Sequence, residues 1–218
     1  MSRMLEIIPA LNCLDEECIR EKVKRAKSFL KEDDWLHLDV ADGCFTFLKT
    51  WGDAHLWKKL THNFKSEVHL MIEDPEGVAL SWIWGGVDRI ILHIEALHKT
   101  TARRILDMAK TRGVQLMLSM QPETPVELVK QYAGLFSQFQ ILAVNPGFSG
   151  QNFLPTCLWK IKFLRLAFPG ATIEVDGGIN EETGHRAKTA GADILVSASY
   201  IFESENPKAA YKRLREIS

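Results

Sequence analysis

Apolar residues along this chain fall into short runs, and between the runs they recur at helical spacing. The runs are Glu6 to Leu11, Trp35 to Val40, Glu67 to Ile72, Arg89 to Ile94, Val114 to Met120, Gln140 to Val144, Thr172 to Asp176 and Ile194 to Ser197. Each has the length of a strand, and they return every 20 to 30 residues or so, the rhythm of repeated βα units. Helix signals lie between them. Asp74-Pro75-Glu76, Thr124-Pro125-Val126 and Leu154-Pro155-Thr156 put proline where a first helical turn tolerates it. Gly113, Gly170 and Gly191 stand where a helix would stop before the next strand. Ile19, Val23, Ala26 and Leu30 line one face of a helix expected over Leu14 to Lys31.

Eight strands joined by helices leave two architectures, an open doubly wound sheet or a closed barrel. No GxGxxG follows the first strand, and several strands end in polar residues, which favours a single-domain α/β protein, a (β/α)8 TIM barrel over residues 1–218. At 218 residues and 46% hydrophobic content the chain can bury one sizeable core. Lys plus Arg total 27 against 28 for Asp plus Glu, with no long run of one sign, so a nucleic-acid partner is not expected. No apolar stretch reaches the 18 or so residues of a membrane span, and the N-terminal stretch is too short in apolar residues for a secretory signal, so no membrane partner and a cytoplasmic location are expected. Cys13, Cys18, Cys44 and Cys157 show no CxxC pairing and read as free thiols.

The second run alternates, so His37 and Asp39 share one face and Leu36, Leu38 and Val40 the other. In a barrel both polar residues point inward near the C-terminal mouth. His69 in the third run repeats the device one strand away, and Asp176 ends the seventh, across the mouth from Asp39. Two imidazoles and two carboxylates aimed at one space are costly to bury without a cation. The mixed set suits one divalent transition metal, Zn2+, Fe2+ or Mn2+, without choosing among them. Trp82, Ile83 and Trp84 read as a helix packed on the barrel or on a subunit, and His55, His62, His98 and His185 as surface or cap residues.

Five stretches, taken in order, resemble the ribulose-phosphate 3-epimerase family: His37-Leu38-Asp39-Val40-Ala41-Asp42-Gly43, Val68-His69-Leu70-Met71, His93-Ile94-Glu95-Ala96, Asn145 to Gln151, and Glu174-Val175-Asp176-Gly177-Gly178-Ile179. The resemblance runs from Pro9 to Phe202. It implies a metal on His37, Asp39, His69 and Asp176, with Asp39 and Asp176 doubling as the acid/base pair that inverts C3 of a ketose phosphate through an enediolate. D-ribulose 5-phosphate and D-xylulose 5-phosphate would be the substrate pair, as in the pentose phosphate pathway. It further implies that Met71 lines the substrate and that Gly147, Phe148, Ser149, Gly150, Gly177, Gly178, Ala198 and Ser199 hold its phosphate. The partner would be a small sugar phosphate and the assembly a homo-oligomer.

Several positions depart from the family pattern. Ala198 and Ser149 replace glycines, where a Cβ is expected to obstruct a backbone with positive φ or close to the anion. Ala10, Leu142 and the stretch Ala41 to Leu48 also differ, which alters the walls around the substrate. Other readings are therefore another ketose or hexulose phosphate as substrate, a related phosphate-binding barrel enzyme of other chemistry, and a non-catalytic member that binds sugar phosphate.

Overall fold

The computed structural model describes residues 5–217, so expectations for the extreme N-terminus and for Ser218 lie outside the described residues. Eight parallel strands, β1 (Glu6–Leu11), β2 (Trp35–Ala41), β3 (Lys65–Met71), β4 (Arg89–His93), β5 (Gln115–Met120), β6 (Gln138–Leu142), β7 (Thr172–Asp176) and β8 (Ile194–Ser197), follow one another around the ring. The ring closes where β1 pairs with β8, Pro9 opposite Ser197. Outside lie α1 (Glu16–Ala26), α2 (Ala54–Leu60), α3 (Pro75–Gly85), α4 (Lys99–Arg112), α5 (Cys157–Ala167), α6 (Glu181–Ala190), α7 (Ser199–Phe202) and α8 (Pro207–Arg215). The expected (β/α)8 barrel is thus the fold.

Strand alternation divides the apolar residues into two cores. Leu36, Leu38, Val68, Leu70, Ile90, Leu92, Phe139 and Ile141 face the helices and join the large core between barrel and helix ring. Inside the barrel the apolar cluster is small, built from Ile8, Ala10, Trp35, Ile91, Met117, Ile194 and Val196. Apart from Met71 and Leu142 at the mouth, the rest of the interior is polar and buried: His37, Asp39, Glu67, His69, Arg89, His93, Ser119, Gln140, Glu174 and Asp176.

Helix ends follow their local chemistry. Asp15 caps α1 by accepting from the Cys18 N–H at 2.9 Å, and α1 buries Ile19, Val23 and Ala26. Pro75 opens α3, and the left-handed Gly113 and Gly191 close α4 and α6. The helix expected over Leu14 to Lys31 is shorter at both ends; its first residues form the cap turn, and Leu30 is buried beyond the helix. The helix expected from Pro125 is a 3-10 helix, Val126–Tyr132. Its buried residues, Val126, Val129 and Tyr132, recur every third position, which suits three residues per turn. Strand β6 lies two residues earlier than its apolar run, because Ala143 and Val144 continue past the ladder that ends with Leu142 opposite Asp176.

The thiol reading needs correction. Cys13 and Cys18 form a disulfide, with Cα atoms 5.8 Å apart. The turn that Asp15 caps folds the start of α1 back onto the end of β1 and brings the two together. Cys44 and Cys157 are free. Among the described residues no helix is long and apolar enough to cross a membrane.

Candidate active site

The site is built at the C-terminal ends of β2, β3 and β7. Register sets its width: His37 pairs with Glu67, Asp39 with His69, and Leu142 with Asp176. The end of β2 is held by Thr50, whose hydroxyl donates to the Asp39 carbonyl at 2.9 Å and accepts from the Ala41 N–H at 2.8 Å.

Four side chains converge as alternation predicts. His37 Nε2 stands 3.3 Å from Asp39 Oδ1, His69 Nδ1 is 3.1 Å from the same oxygen, and His69 Nδ1 is 3.6 Å from Asp176 Oδ2. One ligand atom from each of the four lies within 4.8 Å of the other three. Donors about 2.0 to 2.2 Å from a shared ion stand roughly 3 to 3.5 Å apart, so spacing and chemistry both fit a transition metal. The charges point the same way. Burial opposes charging His37, but Asp39 and Glu67 outweigh it and hold the imidazole well above its ordinary range. Burial also opposes charging His69, and Asp176 and Asp39 outweigh it. Asp39 is held far below the usual carboxylate range; burial works against this, and His37 and His69 prevail. The carboxylates around the two rings favour positive charge at the place a cation would occupy.

Beneath the four runs a polar network. His37 Nδ1 lies 2.8 Å from Glu67 Oε1, and Glu67 Oε2 accepts from Arg89 at 2.6 Å. His37, Glu67 and Glu174 also approach within 4.8 Å of one another, but there the positive charge is Arg89, 3.5 Å from Glu174. Burial and the neighbouring Glu67 push the Glu174 carboxyl up to about 8, with Arg89 only partly offsetting them. Gln140 donates to Glu174 at 2.9 Å and accepts from Ser119 at 2.6 Å. On the other side, His69 Nε2 is 2.7 Å from His93 Nε2, and His93 Nδ1 is 2.9 Å from Glu95 Oε2. Glu67 was not singled out from the sequence, and His93 entered only within the resembling stretch His93-Ile94-Glu95-Ala96, with no role of its own. Their signal is parity: Glu67 precedes His69 by two on β3, and His93 sits four after Arg89 on β4, so all point inward.

Above the four opens a cleft. Asp39, His69, Met71, Gly147, Phe148, Ser149, Gly150, Asp176, Gly177, Gly178, Ala198 and Ser199 all line it, and His37 lies sealed below. Phe148 sits at the rim, 55% exposed, its ring 5.3 Å from that of Phe47. Thr46 donates to the Pro146 carbonyl at 3.2 Å, so the β2 and β6 loops meet over the mouth. Asn12 also lines the cleft, donating to the Gly147 carbonyl at 3.0 Å and reaching to 3.4 Å from Asp39 Oδ2.

The expected obstruction by positive φ at Ser149 and Ala198 does not arise. Ala198 has φ −100°, and among the described residues Asp33 alone of the non-glycines has positive φ. Positive φ falls on glycines of the lining, Gly147, Gly150, Gly177 and Gly178, and at the last two, with φ +104° and +65°, a Cβ would also run into Val144 and into the Phe153 backbone. Elsewhere, His55, His62, His98 and His185 are exposed. Trp82 and Ile83 are buried, and Trp84 is 60% exposed beneath the Arg112 guanidinium.

Comparison with known proteins agrees with this geometry. A sequence profile described as the ribulose-phosphate 3 epimerase family matches residues 6–202. The ribulose-phosphate 3-epimerase of Chlamydia muridarum is 35% identical over 208 residues, covering 92% of this chain and 89% of that one. That of Methanocaldococcus jannaschii is 35% identical, covering 99% and 92%, and that of Schizosaccharomyces pombe is 31% identical, covering 96% and 92%. Among solved structures, the 3-hexulose-6-phosphate synthase of Salmonella typhimurium superposes with a TM-score of 0.74 at 15% identity, each chain covered to 98%. KGPDC of Streptococcus mutans superposes at 0.72 with 16% identity, covering 98% of this chain and 97% of that one. At such identities these structures speak for the barrel fold alone.

Proposed function

The chain belongs to the ribulose-phosphate 3-epimerase family, and on that premise we propose that it epimerises C3 of a ketose phosphate, interconverting D-ribulose 5-phosphate and D-xylulose 5-phosphate. The observation that carries this reading is the presentation of two carboxylates, Asp39 from β2 and Asp176 from β7, into one cleft with the His69 ring between them.

Inversion next to a ketone removes a proton from one face of a carbon and returns one to the other face of a planar enediolate. One aspartate takes the C3 proton and the other, carrying a proton, delivers it from the opposite side. Both carboxylates line the cleft on either side of the His69 ring, so either can take the proton. The two aspartates exchange roles according to which epimer enters. His37, Asp39, His69 and Asp176 would hold one Zn2+, Fe2+ or Mn2+. Such an ion would supply Lewis acidity that lowers the cost of the enediolate charge.

Gly147, Phe148, Ser149, Gly150, Gly177, Gly178, Ala198 and Ser199 would surround the phosphate, in the loops where barrels of this type commonly bind one. Met71 would pack beside the sugar. We assign the protein to the cytoplasm, where the Cys13–Cys18 bond would face a reducing thiol pool.

The test is hydrogen exchange in D2O over a panel of ketose phosphates and free ketoses. Deuterium should enter C3 of ribulose 5-phosphate and appear in both epimers. Exchange confined to another ketose phosphate would move the substrate assignment, and exchange with none would refute the epimerase reading.

A further inference from the structure

Two histidines of the proposed metal set face inward, yet they present different nitrogens. His37 offers Nε2 and directs Nδ1 to Glu67, whereas His69 offers Nδ1 and directs Nε2 to His93. A neutral imidazole binds a metal only through the nitrogen that lacks a proton, so something must keep the His69 proton on Nε2. A carboxylate does this directly for His37. Among the described residues no carboxylate bonds to His69 Nε2; its partner there is another imidazole nitrogen at 2.7 Å.

The direction of that bond follows from its far end. Two ring nitrogens 2.7 Å apart can share only one proton between them. His93 Nδ1 lies 2.9 Å from Glu95 Oε2, and an ionised carboxylate only accepts, so the proton of a neutral His93 resides on Nδ1. Its Nε2 is then a bare acceptor and takes the hydrogen bond from His69 Nε2–H. When a metal displaces the Nδ1 proton, His69 then keeps its Nδ1 lone pair for the ion between Asp39 and Asp176. We propose that His93 and Glu95 are positioning residues, a relay that fixes the tautomer and ring orientation of His69 for metal binding.

The surroundings are built to hold this relay still. His93 has no side-chain exposure and lies beside His69 with the ring planes 22° apart, and Phe45 covers it at 4.6 Å between centroids. Glu95 Oε1 accepts from the Gln121 N–H at 2.9 Å and from the Thr124 hydroxyl. The loop that carries those donors is gathered by Lys160, whose ammonium donates to the carbonyls of Gln121, Pro122 and Thr124 at 2.8, 2.6 and 2.6 Å. A chain of contacts thus runs from α5 to the metal set.

The inference rests on the proposed metal reading, and its test separates the two. Affinity for Co2+ alone is measured by chelator competition at fixed pH. His93→Phe keeps a ring but removes the acceptor, and should weaken Co2+ binding by about 10- to 100-fold, the usual effect of losing such an outer partner. His93→Gln places an amide oxygen near the lost Nε2 and should restore most of it, a recovery that a purely packing role would not give. Nitrogen NMR of the Zn2+-loaded parent protein provides a measurement independent of any variant's folding, and should find the His93 proton on Nδ1 and the His69 proton on Nε2. Equal Co2+ affinity in the parent and His93→Phe, or an Nε2 proton on His93, overturns the relay while leaving the metal site intact. A parent protein that takes up no Co2+ overturns both.

Discussion

His37 and Glu67 share a 2.8 Å hydrogen bond inside the barrel, and neither side chain has any exposure to solvent. The pair joins the site to its foundation, since Glu67 is also the partner of Arg89 at 2.6 Å. Replacing Glu67 with Gln removes the charge that orients His37 and leaves a buried guanidinium underpaired. Metal affinity should fall by about 10-fold or more, and unfolding stability by roughly 3 to 5 kcal/mol, less whatever Glu174 recovers by giving up its proton. Urea unfolding and Co2+ competition measure the two effects. Unchanged values in both would mean that the network is incidental to the site.

Metal affinity should rise with pH. The sign follows from the ring protons: His37 and His69 hold theirs to higher pH than free imidazoles do, so an entering ion must displace them. While both rings are protonated, affinity should climb by up to about 100-fold per pH unit and level off once they are neutral. Calorimetry in buffers of different ionisation enthalpy counts the released protons directly. Binding that weakens with rising pH below that plateau would contradict the assignment.

The Cys13–Cys18 bond adjoins the site through Asn12, which touches Asp39 and Gly147. Denatured protein prepared without reductant should show two titratable thiols, and four after reduction. With a sequence separation of 5, the bond should contribute only about 2 kcal/mol of stability. Four thiols before reduction would remove the bond from the account.

Much of this site can be read from residue order because strand alternation has no freedom once the strands are placed. Leu36, Leu38 and Val40 had to face the helices, so His37 and Asp39 had to face the interior. The end of β6 was less legible: Ala143 and Val144 are as apolar as the strand they follow, and only pairing with β7 shows where the ladder stops. Glu67, and the part His93 plays within its resembling stretch, were not legible because their roles depend on register between strands. Without it, the neighbour of a ligand cannot be told from an ordinary buried polar group. The Cys13–Cys18 pair depends on a cap turn formed by Asp15, which spacing alone did not reveal. The positive φ expected at Ser149 and Ala198 was carried over from family glycines; neither residue adopts it, and the loop around Ser149 takes it at Gly147 and Gly150 instead.

The central claim is that Asp39 and Asp176 act on opposite faces of C3. The most direct measurement is wash-out of the C3 proton into D2O for each epimer separately, using Asp39→Asn and Asp176→Asn proteins whose metal content has been verified. Each variant keeps a base on one face, so one should exchange only ribulose 5-phosphate and the other only xylulose 5-phosphate, with net epimerisation reduced by about 10² to 10⁴-fold or more in both. If both metal-loaded variants exchanged both epimers equally well, a single base would be serving both faces and the opposed-carboxylate account would be wrong.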